Sequence, residues 1–390
     1  MALKVYIIAG EPSGDLLASG MMKSIGALRP DVEFRGVGGE SMRDEGMESR
    51  FDIAEISVMG VVEVIGSLSL ITKRIRQTVN DIIAWQPDVL VTVDSWGFVS
   101  SVVGKLRKRK AAIRVVHYVA PQVWAWKKGR AKSVAQLVDR LMMLLPYEGK
   151  YFEKFGLKCD FVGHPVMERM SGLDFDLVEF RSRHQIPEDA LVLSLLPGSR
   201  HSEVVRMIPI FKRAVEIIGR EQRGLFVIVP TVAGVEAEVR KCFSGWSIPV
   251  RVVVGSTERY NAFKTSRIAL ATSGTVSLEL TAIGVPHLIA YTFNPVTNWL
   301  VKRVIKIRYA NLINILDDHE IIPELVLDHC RPQLIAETAL KLLEDAHYGE
   351  TQMVEARRVL EQLRLPEMLP SERVAQVVIE ETELNPRKGL

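Results

Sequence analysis

Cysteine is scarce in this chain. Cys159, Cys242 and Cys330 are its three, far apart and odd in number. There is no Cys-x-x-Cys pair and no Cys/His cluster, so neither a disulfide framework nor a zinc site is implied. Long apolar runs are missing as well. None reaches the ~20 residues that a spanning helix needs. The N-terminus enters a predicted strand at Leu3 without a cleavable leader. The expectation is a cytoplasmic protein, attached at most to a membrane face. An excess of one charge is also lacking. Lys+Arg 50 against Asp+Glu 47 leaves +3, too little to argue for nucleic acid, although the basic residues are clustered. The first loop has neither GxGxxG spacing nor a Walker lysine, so dinucleotide and P-loop chemistry are unsupported. No short internal repeat and no low-complexity segment occurs.

What is present is one unit, repeated: a buried strand, a glycine-bearing turn, a helix. At 390 residues two domains are expected. The stretch 268–286 is its fullest example. An apolar strand runs into Thr272-Ser273-Gly274-Thr275, then into a helix stopped by Gly284 and Pro286. Free backbone N–H groups and the positive end of the helix dipole point at one place there, which builds an anion site. Glu279, just over one turn on, would reach a neutral hydroxyl beside that anion. A phosphate plus a ribose diol, that is a nucleotide, fits both. The same residues also fit an ordinary helix start capped by Ser273 or Thr275.

In chain order, a strand at 4–9 leads into Gly10-Glu11-Pro12-Ser13-Gly14-Asp15 and an amphipathic helix. Glu11 and Ser13 stand at the carboxyl end of a strand, where doubly wound sheets bind ligands; the alternative is a turn with Ser13 or Asp15 capping the helix. The stretch 56–72 is almost wholly apolar, with Glu63 as its only charge and Lys73, Arg74 and Arg76 directly after it. An exposed apolar patch on Val61, Val64, Ile65 and Leu68 with a basic rim suits an anionic membrane face; burial between domains is the other reading. Asp94 ends a strong strand at 87–93, where a carboxylate could take a proton from an attacking hydroxyl or cap the next helix. After a strand carrying His117, Trp124 and Trp126 stand beside Lys127, Lys128 and Arg130, a composition suited to a sugar, phosphate or lipid headgroup. Residues 167–190 read as a polar crossover. The pattern then restarts: a strand at 191–196 feeds Pro197-Gly198-Ser199-Arg200 and a helix, and Arg200 offers a charge for a phosphate oxygen. Residues 299–308 form a basic amphipathic helix, and Asn311 and Asn314 are neutral amides able to reach a base or sugar. The helices at the end lack strands of their own and must pack on an existing domain. The expected domains are 1–166, 167–345 and a tail at 346–390, packing back on the first or on a second copy as a homodimer. No DxD pair lies near the nucleotide features, so helix dipoles and Arg200 would neutralise a diphosphate without a metal.

Six motifs in this order and spacing, GEPSGD (10–15), VMGVVEVIG (58–66), HYVAPQVWAWKKGR (117–130), GHP (163–165), LPGSRHSEV (196–204) and SGTVSLE (273–279), resemble the lipid-A-disaccharide synthase family. WAWKKGR and LPGSRHSEV are the most particular to it. The resemblance implies an α/β protein of GT-B fold: two doubly wound Rossmann-like domains facing a cleft, with C-terminal helices crossing back. It implies an inverting, metal-independent glycosyltransferase without cofactor. The enzyme would join UDP-2,3-diacylglucosamine to 2,3-diacylglucosamine 1-phosphate and release UDP. By motif, Gly198, Ser199, Arg200, Ser273, Gly274, Thr275, Glu279 and Asn314 match the UDP side. Glu11, Ser13 and Asp94 match the acceptor side, with Trp124, Lys127 and Arg130 beside them. It also implies a peripheral enzyme on the cytoplasmic face of the bacterial inner membrane. The chain departs from the pattern at Pro12 and at Ser95-Trp96-Gly97. The rival readings are another UDP-sugar enzyme of this build, such as an epimerase, or a non-catalytic nucleotide-sugar or lipid-binding protein.

Overall fold

The computed structural model describes residues 2–57, 61–123, 129–272, 274–294, 297–298, 303 and 308–384, with backbone alone at 61–67. Two compact units emerge, Met1–Glu168 with Leu363–Leu390, and Arg169–Gln362.

The first unit contains β1 (Leu3–Ala9), α1 (Pro12–Leu28), β2 (Val32–Val37), α2 (Glu40–Asp44), α3 (Val61–Trp85), β3 (Val89–Val93), α4 (Trp96–Lys108), β4 (Arg114–Tyr118), α5 (Arg130–Leu137), β5 (Arg140–Met143) and β6 (Lys158–Phe161); α6 (Pro165–Met170) carries the chain onward. All six strands pair in parallel, in the order β2-β1-β3-β4-β5-β6. A parallel sheet is covered on both faces, so its strands need apolar residues on both. In β1, Tyr6 and Ile8 join one core cluster, while Ile7 and Ala9 join another on the opposite face, as the two-residue period of a strand dictates.

The second unit contains α7 (Leu177–His184), β7 (Leu191–Leu196), α8 (His201–Glu221), β8 (Leu225–Thr231), α9 (Glu236–Phe243), β9 (Val250–Val254), α10 (Ser256–Thr265), β10 (Ile268–Ala271), α11 (Thr275–Ile283), β11 (His287–Tyr291), α12 (Leu312–Asp317), β12 (Glu324–Val326), α13 (Pro332–Glu344) and α14 (Ala346–Leu360). Its parallel sheet runs β12-β11-β10-β7-β8-β9. The three-residue edge strand β12 is too short to carry a periodicity, and the sequence pattern does not reveal it.

Helix α14, expected to travel with the crossing tail from 346, stays with the second unit. It packs on α11, α12 and α13, and Arg358 pairs with Asp317 at 2.7 Å. The return to the first unit begins only at Leu363. There α15 (Pro370–Glu383) packs on α1 and supplies Val374, Ala375, Val377 and Val378 to the core. Its buried Glu381 accepts from Arg114 at 2.6 Å and from Arg140 at 3.4 Å. Arg140, itself buried, also meets Asp160 at 2.6 Å and Glu380 at 2.8 Å. Charges taken out of water persist only where partners surround them in this way.

Among the described residues, no helix is long and apolar enough to cross a membrane. Of the apolar patch, Leu68 is exposed on α3. The side chains of Val61, Val64 and Ile65 lie outside the described residues.

Candidate functional site

In the first sheet the chain winds from β1 to β2 one way and from β1 to β3 the other. The carboxyl ends of β1 and β3 therefore form a topological switch point, where such sheets bind ligands. Glu11 follows β1, and Asp94 and Ser95 follow β3. Ser95 Oγ donates to Glu11 Oε1 at 3.4 Å. Gly10 is required beneath them, since a Cβ there would lie 2.5 Å from Ser95 Oγ. Asp94 and Ser95 both sit in the left-handed region, at φ 51° and 44°. Two consecutive residues other than glycine in that region store strain, a feature that gathers at functional sites. Asp94 N–H donates to Tyr118 O at 2.9 Å, pinning the elbow to β4. Burial raises the Asp94 carboxyl above its ordinary value, and a hydrogen bond from the Ser95 backbone offsets part of that.

Ser13 is exposed on the first turn of α1. Asp15 does not cap that helix. It is buried and accepts from Gly39 N at 2.6 Å, Ser41 N at 2.9 Å and Met42 N at 3.2 Å, anchoring the loop after β2 and the start of α2. Arg130 begins α5 and, with Trp96, Ser100 and Ser133, lines an open cavity of about 600 Å³. Trp124 and Lys127 lie outside the described residues. His117 is fully buried, 2.8 Å from Thr92 Oγ1 through Nδ1, with its ring 5.0 Å from that of Trp96. Burial pushes its pKa down to about 3, so it is a neutral support for Trp96.

The second sheet has its switch point between β7 and β10. Leu196 and Ala271 are register partners, so Pro197 and Thr272 leave the sheet side by side. Helices α8 and α11 start from the loops that begin there and direct their positive ends toward them. Gly198 at φ 113° and Gly274 at φ 77° adopt a backbone that side-chain-bearing residues avoid. Ser199 N–H donates to Glu203 Oε2 at 3.1 Å, and Arg200 Nη1 donates to Glu203 Oε1 at 3.0 Å. Thr275 is exposed at the first position of α11, and Ser273 lies outside the described residues. Glu279 is buried, its Oε1 3.3 Å from Arg259 Nη2, 3.4 Å from Tyr260 Oη and 3.7 Å from Arg169 Nη1.

The expectation that Asn314 offers its amide to a base or sugar needs correction. Asn314 is buried, and Nδ2 donates to Ile322 O at 2.7 Å and Glu324 Oε1 at 2.8 Å, while Oδ1 accepts from Ile321 N and Ile322 N at 2.9 Å. A primary amide has two donors and two acceptor positions, and all four are taken. Asn314 braces the loop before β12. Its neighbour Asn311 extends the network: Nδ2 donates to Ser277 Oγ at 2.7 Å, which lies 2.7 Å from His287 Nε2. His287 Nδ1 faces Val285 O at 2.8 Å. A carbonyl only accepts, so Nδ1 carries the proton and Nε2 accepts from Ser277. Burial pushes the His287 pKa down to about 4, keeping the ring neutral. This network under α11 was invisible beyond its two asparagines, because Ser277, His287 and Glu324 belong to separate elements. The basic segment 299–308 falls largely outside the described residues.

A family model described as "Lipid-A-disaccharide synthetase" matches residues 5–378. A lipid-A-disaccharide synthase from Paramagnetospirillum magneticum is 43% identical over 379 residues, covering 96% of this chain and 97% of that protein. One from Rickettsia bellii is 39% identical over 365 residues, covering 92% and 94%. Among solved structures, a UDP-GlcNAc 2-epimerase from Neisseria meningitidis bound to UDP-GlcNAc aligns with a TM-score of 0.66 at 10% identity, over 98% of this chain and all of that one. MurG from Acinetobacter baumannii aligns at 0.58 and 10%, over 97% and 100%. At such identities these structures speak for the GT-B build alone.

Proposed function

Since the chain belongs to the lipid-A-disaccharide synthase family, and so to the glycosyltransferases of lipid A biosynthesis, we propose its reaction and the roles of its residues. The donor is UDP-2,3-diacylglucosamine and the acceptor 2,3-diacylglucosamine 1-phosphate. The primary hydroxyl of the acceptor attacks the anomeric carbon from the face opposite UDP. The C–O bond to the diphosphate breaks as the new β-1′,6 bond forms, with inversion. Asp94 takes the hydroxyl proton; a carboxylate raised by burial is a stronger base than an exposed one. The departing charge spreads over Arg200, the amides of Gly198–Ser199 and Ser273–Thr275, and the ends of α8 and α11. Glu279, braced by Arg259 and Tyr260, meets the ribose. Glu11, Ser13, Trp124, Lys127 and Arg130 serve the acceptor. The stretch around Val61, Val64, Ile65 and Leu68 meets the cytoplasmic face of the bacterial inner membrane, where acylated substrates reside. One observation carries the reading: the family match from residue 5 to 378 includes both switch-point loops.

The test mixes donor and acceptor with the purified chain and follows UDP release with mass detection of the disaccharide. Both products should appear together. Affinity for UDP with no turnover would make the protein a binding module instead.

A further inference from the structure

The loop that opens α8 already holds an anion. The Glu203 carboxylate takes the Ser199 N–H at 3.1 Å and the Arg200 guanidinium at 3.0 Å. The Glu203 side chain is 13% exposed and that of Arg200 is 56% exposed. Gly198 makes the room: a Cβ there would lie 2.5 Å from Glu203 Oε2 and 2.6 Å from its Cβ. Tyr291, at the end of β11, senses the same cluster. Burial and then the Glu203 charge raise its phenol, while Arg206 and Arg200 pull it back. Arg200 is the guanidinium paired with this carboxylate, while Arg206, on the same helix, donates to Thr292 O at 3.4 Å. An arriving diphosphate brings at least two negative charges. It competes with Glu203 for the same donors.

We propose that Glu203 is the resident counter-anion of the diphosphate site. It is a positioning residue that keeps the Ser199 amide and Arg200 in anion-accepting geometry while the site is empty, then yields them to a phosphate. Its return helps expel UDP after transfer. This rests on the reading above, that the donor diphosphate sits at 198–200. The ordinary alternative is a helix-start contact: Glu203 is the third residue of α8, and its reach back toward the turn is the acidic half of a capping box. The two differ in sign. Removing a mere cap leaves UDP affinity equal or lower, whereas removing a competitor raises it.

Calorimetry on the full chain decides between them, with UDP and uridine as probes on the wild type and on Glu203→Gln, which keeps the shape and drops the charge. UDP should bind roughly tenfold tighter to the variant, a span typical of one charge-assisted contact, and uridine, which lacks phosphates, should bind unchanged. Equal or weaker UDP binding, or a parallel change for both probes, overturns the proposal. If the variant does not fold, a crystal of the wild type with UDP serves instead. A phosphate oxygen should occupy the Ser199 N–H, with Glu203 beyond hydrogen-bond reach; a carboxylate still seated there beside bound UDP overturns it. UDP bound elsewhere than 198–200 would instead refute the donor-site reading, and this inference with it.

Discussion

At the scale of the residue, the left-handed pair at Asp94 and Ser95 and the saturated amide of Asn314 make opposite predictions. Asp94→Asn keeps the shape and removes the base. Turnover should fall by roughly 10²-fold or more with UDP affinity little changed, measured by initial rates and calorimetry; unchanged turnover would remove Asp94 from the mechanism. The base works ionised, and burial raises its pKa. Activity should therefore fall, as pH is lowered, at a higher pH than an ordinary aspartate would give, and this acid limb should vanish in Asp94→Asn. Asn314→Ala leaves the Ile321 and Ile322 N–H groups without their acceptor and takes one donor from the half-buried Glu324, which keeps the Ala310 and Asn311 N–H groups. It should cost about 1–3 kcal/mol of stability per stranded group, seen as a lowered thermal midpoint. Loss of UDP affinity at an unaltered midpoint would restore direct contact.

At the scale of the element, α15 depends on a buried ion network. Arg140 is nearly sealed from water and meets Asp160, Glu380 and Glu381, and Arg373 on α15 also reaches Asp160 at 3.1 Å. Burial alone would raise Asp160, but the hydrogen bonds and charge of Arg140, with Arg373, hold it below its ordinary value. A depressed carboxylate contributes stability above its unfolded pKa and loses it as pH falls through the folded one, so the docking of α15 weakens in acid. Glu381→Ala removes one buried carboxylate from Arg114, which keeps Asp139, and from Arg140, which keeps Asp160 and Glu380, and denaturant unfolding should record a loss of about 1–3 kcal/mol. An effect below about 1 kcal/mol would mean that water reaches these guanidinium groups. The same elements show why boundaries were hard to read. Helices α14 and α15 have similar amphipathic patterns, yet one packs on the second unit and the other on the first. Periodicity states that a face is apolar, not which partner covers it.

At the scale of the whole molecule, the proposed membrane attachment predicts a separable surface. Positions 61, 64, 65 and 68 recur at helical spacing along α3. Exchanging Val61, Val64, Ile65 and Leu68 for Ser should release the protein from anionic vesicles in a sedimentation assay, with its circular dichroism intact. Unfolding of that variant would make the stretch core. Two strand–turn–helix halves, with a carboxylate at a strand end in the first and glycine turns opening helices in the second, were legible because each rests on contiguous residues, whereas the switch points follow from the strand order. A strand running into a glycine turn and a helix start is local, and its alternatives are few.

The sequence by itself therefore determined the repeated unit, the placing of Glu11, Asp94, Arg200 and Gly274 at strand ends, and the family. Its information there is short-range, written in periodicity and turn chemistry. Only the tertiary structure decided what each polar group spends its hydrogen bonds on. Asp15 anchors α2, Asn314 braces the loop before β12, and Glu203 takes the Ser199 amide and the Arg200 guanidinium. Partners 7 to 27 residues distant, as for Asn314 and Asp15, are chosen by the sheet order and by the cost of leaving a buried donor unpaired, and neither is visible in a linear pattern.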